Sequence, residues 1–192
     1  MLDFESKHTN RVDPNENYGN PESFFVFIVG INGQWEDGRS EEGDIALYNA
    51  YLSAGVPPDQ VVFVKDQKAT KSNCESKLKR FLKRSHPSST LLFYYGGHGQ
   101  STGFSTHEEE WRHQDVVDLI DSSFSGDRVI VLADCCGSGN FCKWLQKPLY
   151  SGRHSYVCIM STAPYTEAGA SWTMTSNWMT SMRCSGGSLQ LR

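Results

Sequence analysis

The chain has 192 residues, of which 38% are hydrophobic and 21% charged, and a net charge of −4 at neutral pH. That length holds one domain with a sizeable core, and the mild negative charge argues against a strong pull toward nucleic acid or an anionic membrane. No apolar stretch reaches the roughly 18 residues a membrane span requires.

The six cysteines, at 74, 135, 136, 142, 158 and 184, follow no disulfide-framework spacing. The N-terminus is polar and lacks a secretory core. Together these features point to reduced thiols in a cytoplasmic setting.

Residues 1–22 are rich in Asn, Asp and Pro and read as a flexible arm, with one domain over 23–192. Phe24–Ile31 is a buried strand, followed by a loop, Asn32–Ser40, holding Trp35. Glu41–Leu52 reads as a helix with Ile45, Tyr48 and Leu52 on one face, stopped by Gly55 and Pro57-Pro58. Val61–Val64 is a second strand. Thr70 is placed to cap a helix over Lys71–Arg84, whose apolar face carries Cys74, Leu78, Phe81 and Leu82. Its basic residues (Lys77, Lys79, Arg80, Lys83 and Arg84) lack interleaved aromatics and read as a solvated face, not a nucleic-acid patch.

Leu91–Tyr95 is a third strand, closed by Gly96-Gly97-His98-Gly99. A polar loop over Gln100–Glu110 leads to a helix over Trp111–Phe124. Val129–Ala133 is a fourth strand, closed by Asp134-Cys135-Cys136-Gly137-Ser138-Gly139. Phe141–Tyr150 reads as short helix or irregular chain, and Tyr156–Met160 as a fifth strand. A loop over Ser161–Ala170, an amphipathic helix over Ser171–Met182 and a polar tail complete the chain. This alternation predicts an α/β fold with a mostly parallel sheet.

In such a sheet the chemistry gathers beyond the carboxyl ends of the strands. There one strand delivers His98 and another delivers Cys136, the parts of a thiol nucleophile with its base. Glycines flank His98 directly after a buried strand, a setting that lets a substrate approach closely and that a core histidine does not need. Cys136 lies past the last apolar residue of its strand, where a thiol is exposed and a nearby imidazole favours the thiolate. Cys135 is expected to face the core. The backbone N–H groups of Gly99 and Cys136 are candidates for an oxyanion hole. Zinc held by Cys135, Cys136 and Cys142 fits no structural zinc spacing and would consume the nucleophile.

The blocks Tyr95-Gly96-Gly97-His98-Gly99 and Asp134-Cys135-Cys136-Gly137-Ser138-Gly139 resemble those of the caspase-like cysteine peptidases, most closely the metacaspases, over about Phe24 to Met182. The resemblance implies a three-layer fold, His98 as general base and Cys136 as nucleophile. Gly137 departs from the pattern, since metacaspases place histidine there.

Metacaspases receive Arg or Lys at P1, the residue before the scissile bond, between two aspartates. By position these are Asp134 and, in Glu41-Glu42-Gly43-Asp44, Asp44. Two such carboxylates repel unless a cation sits between them, so a basic P1 is expected. True caspases use arginines to receive Asp at P1, and Arg39 lies near the relevant place, but Asp134 opposes an acidic P1.

No cofactor is required on this reading. Many metacaspases respond to calcium, but His107-Glu108-Glu109-Glu110 with Asp115 lacks hard-cation loop spacing and reads as a solvated acidic face. The resemblance further implies protein or peptide substrates, a link to programmed cell death, self-cleavage near Lys143, Lys147 or Arg153, and pairing as a homodimer. Ser185–Arg192 is short for the further edge strand such domains carry, which suggests a truncated C-terminal end. The alternatives are a catalytically silent interaction or scaffold module of the same fold, and an active peptidase with Asp at P1.

Overall fold

The structure, a computed structural model, describes residues 20–31, 41–145 and 153–161, and the backbone of 181–185 and 188–190. In chain order the elements are β1 (Phe24–Gly30), α1 (Glu41–Ser53), β2 (Val61–Lys65), α2 (Lys71–Leu82), β3 (Thr90–Gly96), β4 (Gly103–Ser105), β5 (Glu110–Arg112), α3 (His113–Ser123), β6 (Arg128–Asp134), α4 (Asn140–Leu145), β7 (Ser155–Met160), β8 (Ser181–Ser185) and β9 (Ser188–Gln190). The main sheet runs β2-β1-β3-β6-β7-β8-β9. Its first five strands pair in parallel, and β8 and β9 add to the edge antiparallel.

The strands at the centre are apolar on both faces because both faces are covered. Alternate residues of β1, β3 and β6 (Phe25, Phe27, Leu91, Phe93, Val129 and Val131) join one core with Cys74, Leu78, Phe81, Val116, Val117, Ile120 and Phe141 of α2, α3 and α4. The intervening residues, among them Val26, Ile28, Leu92 and Tyr94, join a second core against Leu47, Tyr48, Tyr51 and Leu52 of α1. Helices, sheet and helix thus form the three layers expected. Thr70 caps α2 as its sequence indicates, its Oγ1 accepting the Asn73 N–H at 3.3 Å. Among the described residues no helix is long and apolar enough to cross a membrane.

Three elements differ from the sequence reading. The polar loop over Gln100–Glu110 contains a small antiparallel hairpin, in which Phe104 pairs with Trp111. Its turn is closed by Thr106, whose N–H donates to the Glu109 carbonyl at 2.8 Å. Trp111 therefore belongs to a strand and packs edge-on against Phe93 with centroids 5.8 Å apart, and α3 begins only at His113.

At the C-terminal end, Ser181 and Met182 are strand residues where a helix was expected. The antiparallel edge they lend to β7 outweighs local amphipathicity, and the polar tail supplies the rest of β8 and all of β9. The remainder of the expected last helix (171–180), the arm up to 19, and the loop with Trp35 and Arg39 lie outside the described residues.

Candidate active site

The register of the sheet decides where the two candidate reactive side chains stand. Gly96 of β3 pairs with Asp134 of β6, and His98 and Cys136 each lie two residues beyond that pair. The two strand-end loops then lean on each other. The Gly97 N–H donates to the Asp134 carbonyl at 3.2 Å. Gly99 sits directly on the cysteine turn: a β-carbon there would overlap the Cys136 carbonyl oxygen and lie 2.6 Å from Cys135 Sγ. Only glycine allows that approach.

The His98 loop is braced from the other side. His98 itself is exposed, but its carbonyl accepts the Ser105 N–H at 2.9 Å. It also lies 2.6 Å from the Tyr95 hydroxyl, which is the same distance from the Ser105 carbonyl. One phenolic proton serves these two acceptors. Tyr95 is buried and stacks on Phe104 with centroids 4.3 Å apart.

Gly99 and Phe104 face each other in an isolated antiparallel bridge. Its two hydrogen bonds, Ser105 N–H to His98 and Gln100 N–H to Gly103, do not use the N–H of Gly99.

The cysteine turn is held by a residue the sequence did not mark. Ser161, just past β7, accepts the Cys135 N–H on its Oγ at 3.1 Å and donates its own N–H to the Ala133 carbonyl at 3.0 Å. Cys135 is 2% exposed and packs in the core on the α2–α4 side. Burial, then the neighbouring Asp134, pushes its thiol well above the ordinary range, so it stays protonated and inert. Cys136, by contrast, is part-exposed. Gly137 has φ +64°, a left-handed conformation that suits glycine at this tight turn, and its carbonyl accepts the Asn140 N–H at 2.9 Å.

Asp44 and Asp134 approach the same tyrosine. Asp44 is only 1% exposed and stands against Gly30 and Gly96 at the ends of β1 and β3. Tyr94, which the sequence read simply as part of an apolar strand, stands beside Asp44 at Gly96, and burial, then the charges of both aspartates, hold its proton well above the ordinary tyrosine range. Burial raises the Asp134 carboxyl above its usual range, and the nearby Ser161 hydroxyl acts to lower it.

The other residues singled out in the sequence lie apart from this edge. Asp115 is engaged by Lys71 at 3.1 Å, and Cys142 is buried in α4. Among the described residues no three His, Cys, Asp or Glu side chains gather as a metal site. Lys143 is exposed on α4, Arg153 pairs with Asp121 at 3.5 Å, and Lys147 lies outside the described residues.

Comparison with known proteins decides the family. The model of the family described as the caspase domain matches residues 23–182, most of the chain. The chain belongs to the caspase-domain family. Among solved structures, this caspase-family chain is similar to protein GSU0716 from Geobacter sulfurreducens, with a TM-score of 0.56 and 14% identity over 72% of each chain. It is also similar to caspase-1 from Spodoptera frugiperda, with a TM-score of 0.47 and 13% identity, covering 82% of this chain and 67% of that one. Likeness at such identities concerns the fold alone. No curated protein matches the chain. The caspase family is one of cysteine peptidases, and the mostly parallel sheet between helical layers is the architecture expected of a member.

Proposed function

We propose that this caspase-family domain is a cysteine endopeptidase of the metacaspase kind, cutting protein or peptide chains after Arg or Lys. The observation that carries the reading is the contact between the two strand-end loops, Gly99 on Cys136, which sets a histidine-bearing loop against a part-exposed thiol at the carboxyl edge of the sheet.

In this reading the Cys136 thiolate attacks the scissile carbonyl and the C–N bond breaks as His98 donates a proton to the leaving amine. Water, deprotonated by His98, then releases the acyl group and restores the thiol. The N–H groups of Gly99 and Cys136 receive the oxyanion. Asp134 and Asp44 form the acidic pocket for P1, with Asp134 at its mouth and Asp44 deeper, as their exposures suggest.

The domain acts without a cofactor, and Lys143, exposed beyond the cysteine turn, is a candidate for self-cleavage. A cytoplasmic site of action fits cysteines that, among the described residues, form no disulfide, and a second copy of the chain is a candidate partner.

The test uses matched fluorogenic peptides ending in Arg, Lys or Asp, with and without calcium. Cleavage after Arg and Lys, abolished in Cys136→Ala and retained in Cys135→Ala, is expected. Cleavage after Asp alone would overturn the pocket and leave the dyad. A folded protein without turnover on any peptide would favour a silent module.

A further inference from the structure

Cys136 and Gly137 stand in the middle of a tight turn between Cys135 and Ser138. The bond that closes this turn from within is long. The Ser138 N–H lies 3.4 Å from the Cys135 carbonyl, past the ordinary range of about 2.7–3.2 Å for N–H···O bonds. The Ser161 hydroxyl reaches the same carbonyl, also at 3.4 Å. The firm bonds fall instead on the carbonyl of Gly137. It accepts the Asn140 N–H at 2.9 Å and the Asn140 side-chain Nδ2 at 3.0 Å. One residue thus supplies both donors. A carbonyl oxygen has two lone pairs, and two donors fix the direction of its peptide group more tightly than one.

Asn140 is a rigid arm for this purpose. It is the first residue of α4 and is 3% exposed. The next residue, Phe141, is fully buried and stacks on Phe104 with centroids 5.9 Å apart. Phe104 in turn faces Gly99 across the bridge beside His98. Asn140 is therefore fastened to the same core that supports the histidine loop. On the far side of the turn, a β-carbon on Gly137 would lie 3.0 Å from the Gln100 carbonyl oxygen and 3.3 Å from Asn140 Nδ2. Gly137 is held between Asn140 and Gln100, two residues past His98.

We propose that Asn140 is a positioning residue of the reaction: its side-chain amide grips the Gly137 carbonyl and so holds Cys136 in its turn against the histidine loop. This rests on the Cys136–His98 reading above and deepens it. The hold is needed because the residue after the nucleophile is glycine at φ +64°. Glycine leaves that conformation for others at little cost, so the turn takes its definition from outside. Without the amide the Gly137 carbonyl keeps one donor, and the turn still forms but is no longer fixed.

The test compares wild type with Asn140→Ala, which removes the amide, and Asn140→Leu, which removes the donor and keeps the side chain's size. Three readouts are taken: kinetics on an Arg peptide, inactivation by a peptidyl-arginine chloromethyl ketone, and labelling by iodoacetamide located by mass spectrometry of the digest. The directed reagent needs a thiol placed against a bound peptide, whereas iodoacetamide needs only an exposed thiol. Cys135 and Cys142 are buried, so they take iodoacetamide only if the core opens. Both variants are expected to lower kcat about tenfold and to slow the directed reagent equally, with KM within about twofold of wild type, since misplacing a reacting group costs rate and not binding. Iodoacetamide should label Cys136 at the wild-type rate and leave Cys135 and Cys142 unlabelled.

Wild-type kcat and directed labelling in either variant, with Cys135 and Cys142 protected, would overturn the proposal. A raised KM with unchanged kcat would overturn it too, since Asn140 would then act on binding. So would labelling of Cys135 or Cys142 in both variants, which would make the amide a support of the core alone. A wild type that takes iodoacetamide on Cys136 but turns over no Arg, Lys or Asp peptide would instead remove the peptidase reading, and the role of Asn140 with it.

Discussion

The backbone of Gly99 lies against that of Cys136 so closely that no other residue fits between them. This contact fixes the distance between the histidine loop and the cysteine turn, which come from neighbouring strands. Gly99→Ala must push the loops apart. It should lower kcat/KM by at least about a hundredfold, since small displacements of reacting groups have that effect. Overpacking should also cost about 1–3 kcal/mol of stability. Peptide kinetics and urea unfolding of the same preparation measure both.

Tyr95, fully buried, braces the carbonyl of His98. Tyr95→Phe leaves the Ser105 N–H on that carbonyl, so the cost in stability is about 1 kcal/mol, that of one hydrogen bond. The histidine loop loosens, and kcat should fall about tenfold while KM for an Arg peptide stays constant. A change in KM alone would count against a positioning role.

Removal of the Ser161 hydroxyl leaves the Cys135 N–H without its Oγ acceptor, takes the hydroxyl's own bond from the Cys135 carbonyl at 3.4 Å, and removes a group that acts to lower the Asp134 pKa. Ser161→Ala should therefore cost about 1–3 kcal/mol. With the hydroxyl gone, burial acts unopposed and the Asp134 carboxyl should titrate at higher pH than in wild type. Chemical denaturation gives the first, and NMR titration of the carboxyl carbon the second.

The sequence shows β1, β3 and β6 readily because strands buried on both faces are continuous apolar runs bounded by glycine or polar residues. The β4–β5 hairpin was not legible. Its strands are three residues long, and the turn depends on Thr106 meeting Glu109, not on a Gly or Pro signal. Nor was β8, whose existence depends on pairing with β7.

The same division runs through the site. His98 and Cys136 stand out because glycines punctuate both loops. Tyr95 hides in a core strand, since a tyrosine there packs like a phenylalanine until its hydroxyl finds a partner. Ser161 braces a residue 26 positions away, a relation only the parallel sheet creates.

His113 sets an acid limit on stability. It is 0% exposed, lies edge-on to Phe104 and Phe141, and neither ring nitrogen has a hydrogen-bond partner. Burial lowers its pKa to about 4. The unfolded chain, with an ordinary histidine, binds the extra proton first. Stability is therefore full above about pH 6.5 and falls as pH drops toward about 4, by about 3 kcal/mol at most. His113→Phe should flatten that part of the stability profile, as read by urea unfolding at a series of pH values.

On the proposed function Cys136, activated beside His98, attacks a chain whose P1 residue is basic. A peptidyl-arginine chloromethyl ketone tests it in one step: the thiolate displaces chloride, and mass spectrometry of the digest locates the adduct. One label per chain is expected, on Cys136, lost in Cys136→Ala and slowed by orders of magnitude in His98→Ala. The analogous aspartate reagent should react far more slowly. Labelling of Cys135 or Cys142 in place of Cys136, or equal rates with the two reagents, would contradict it.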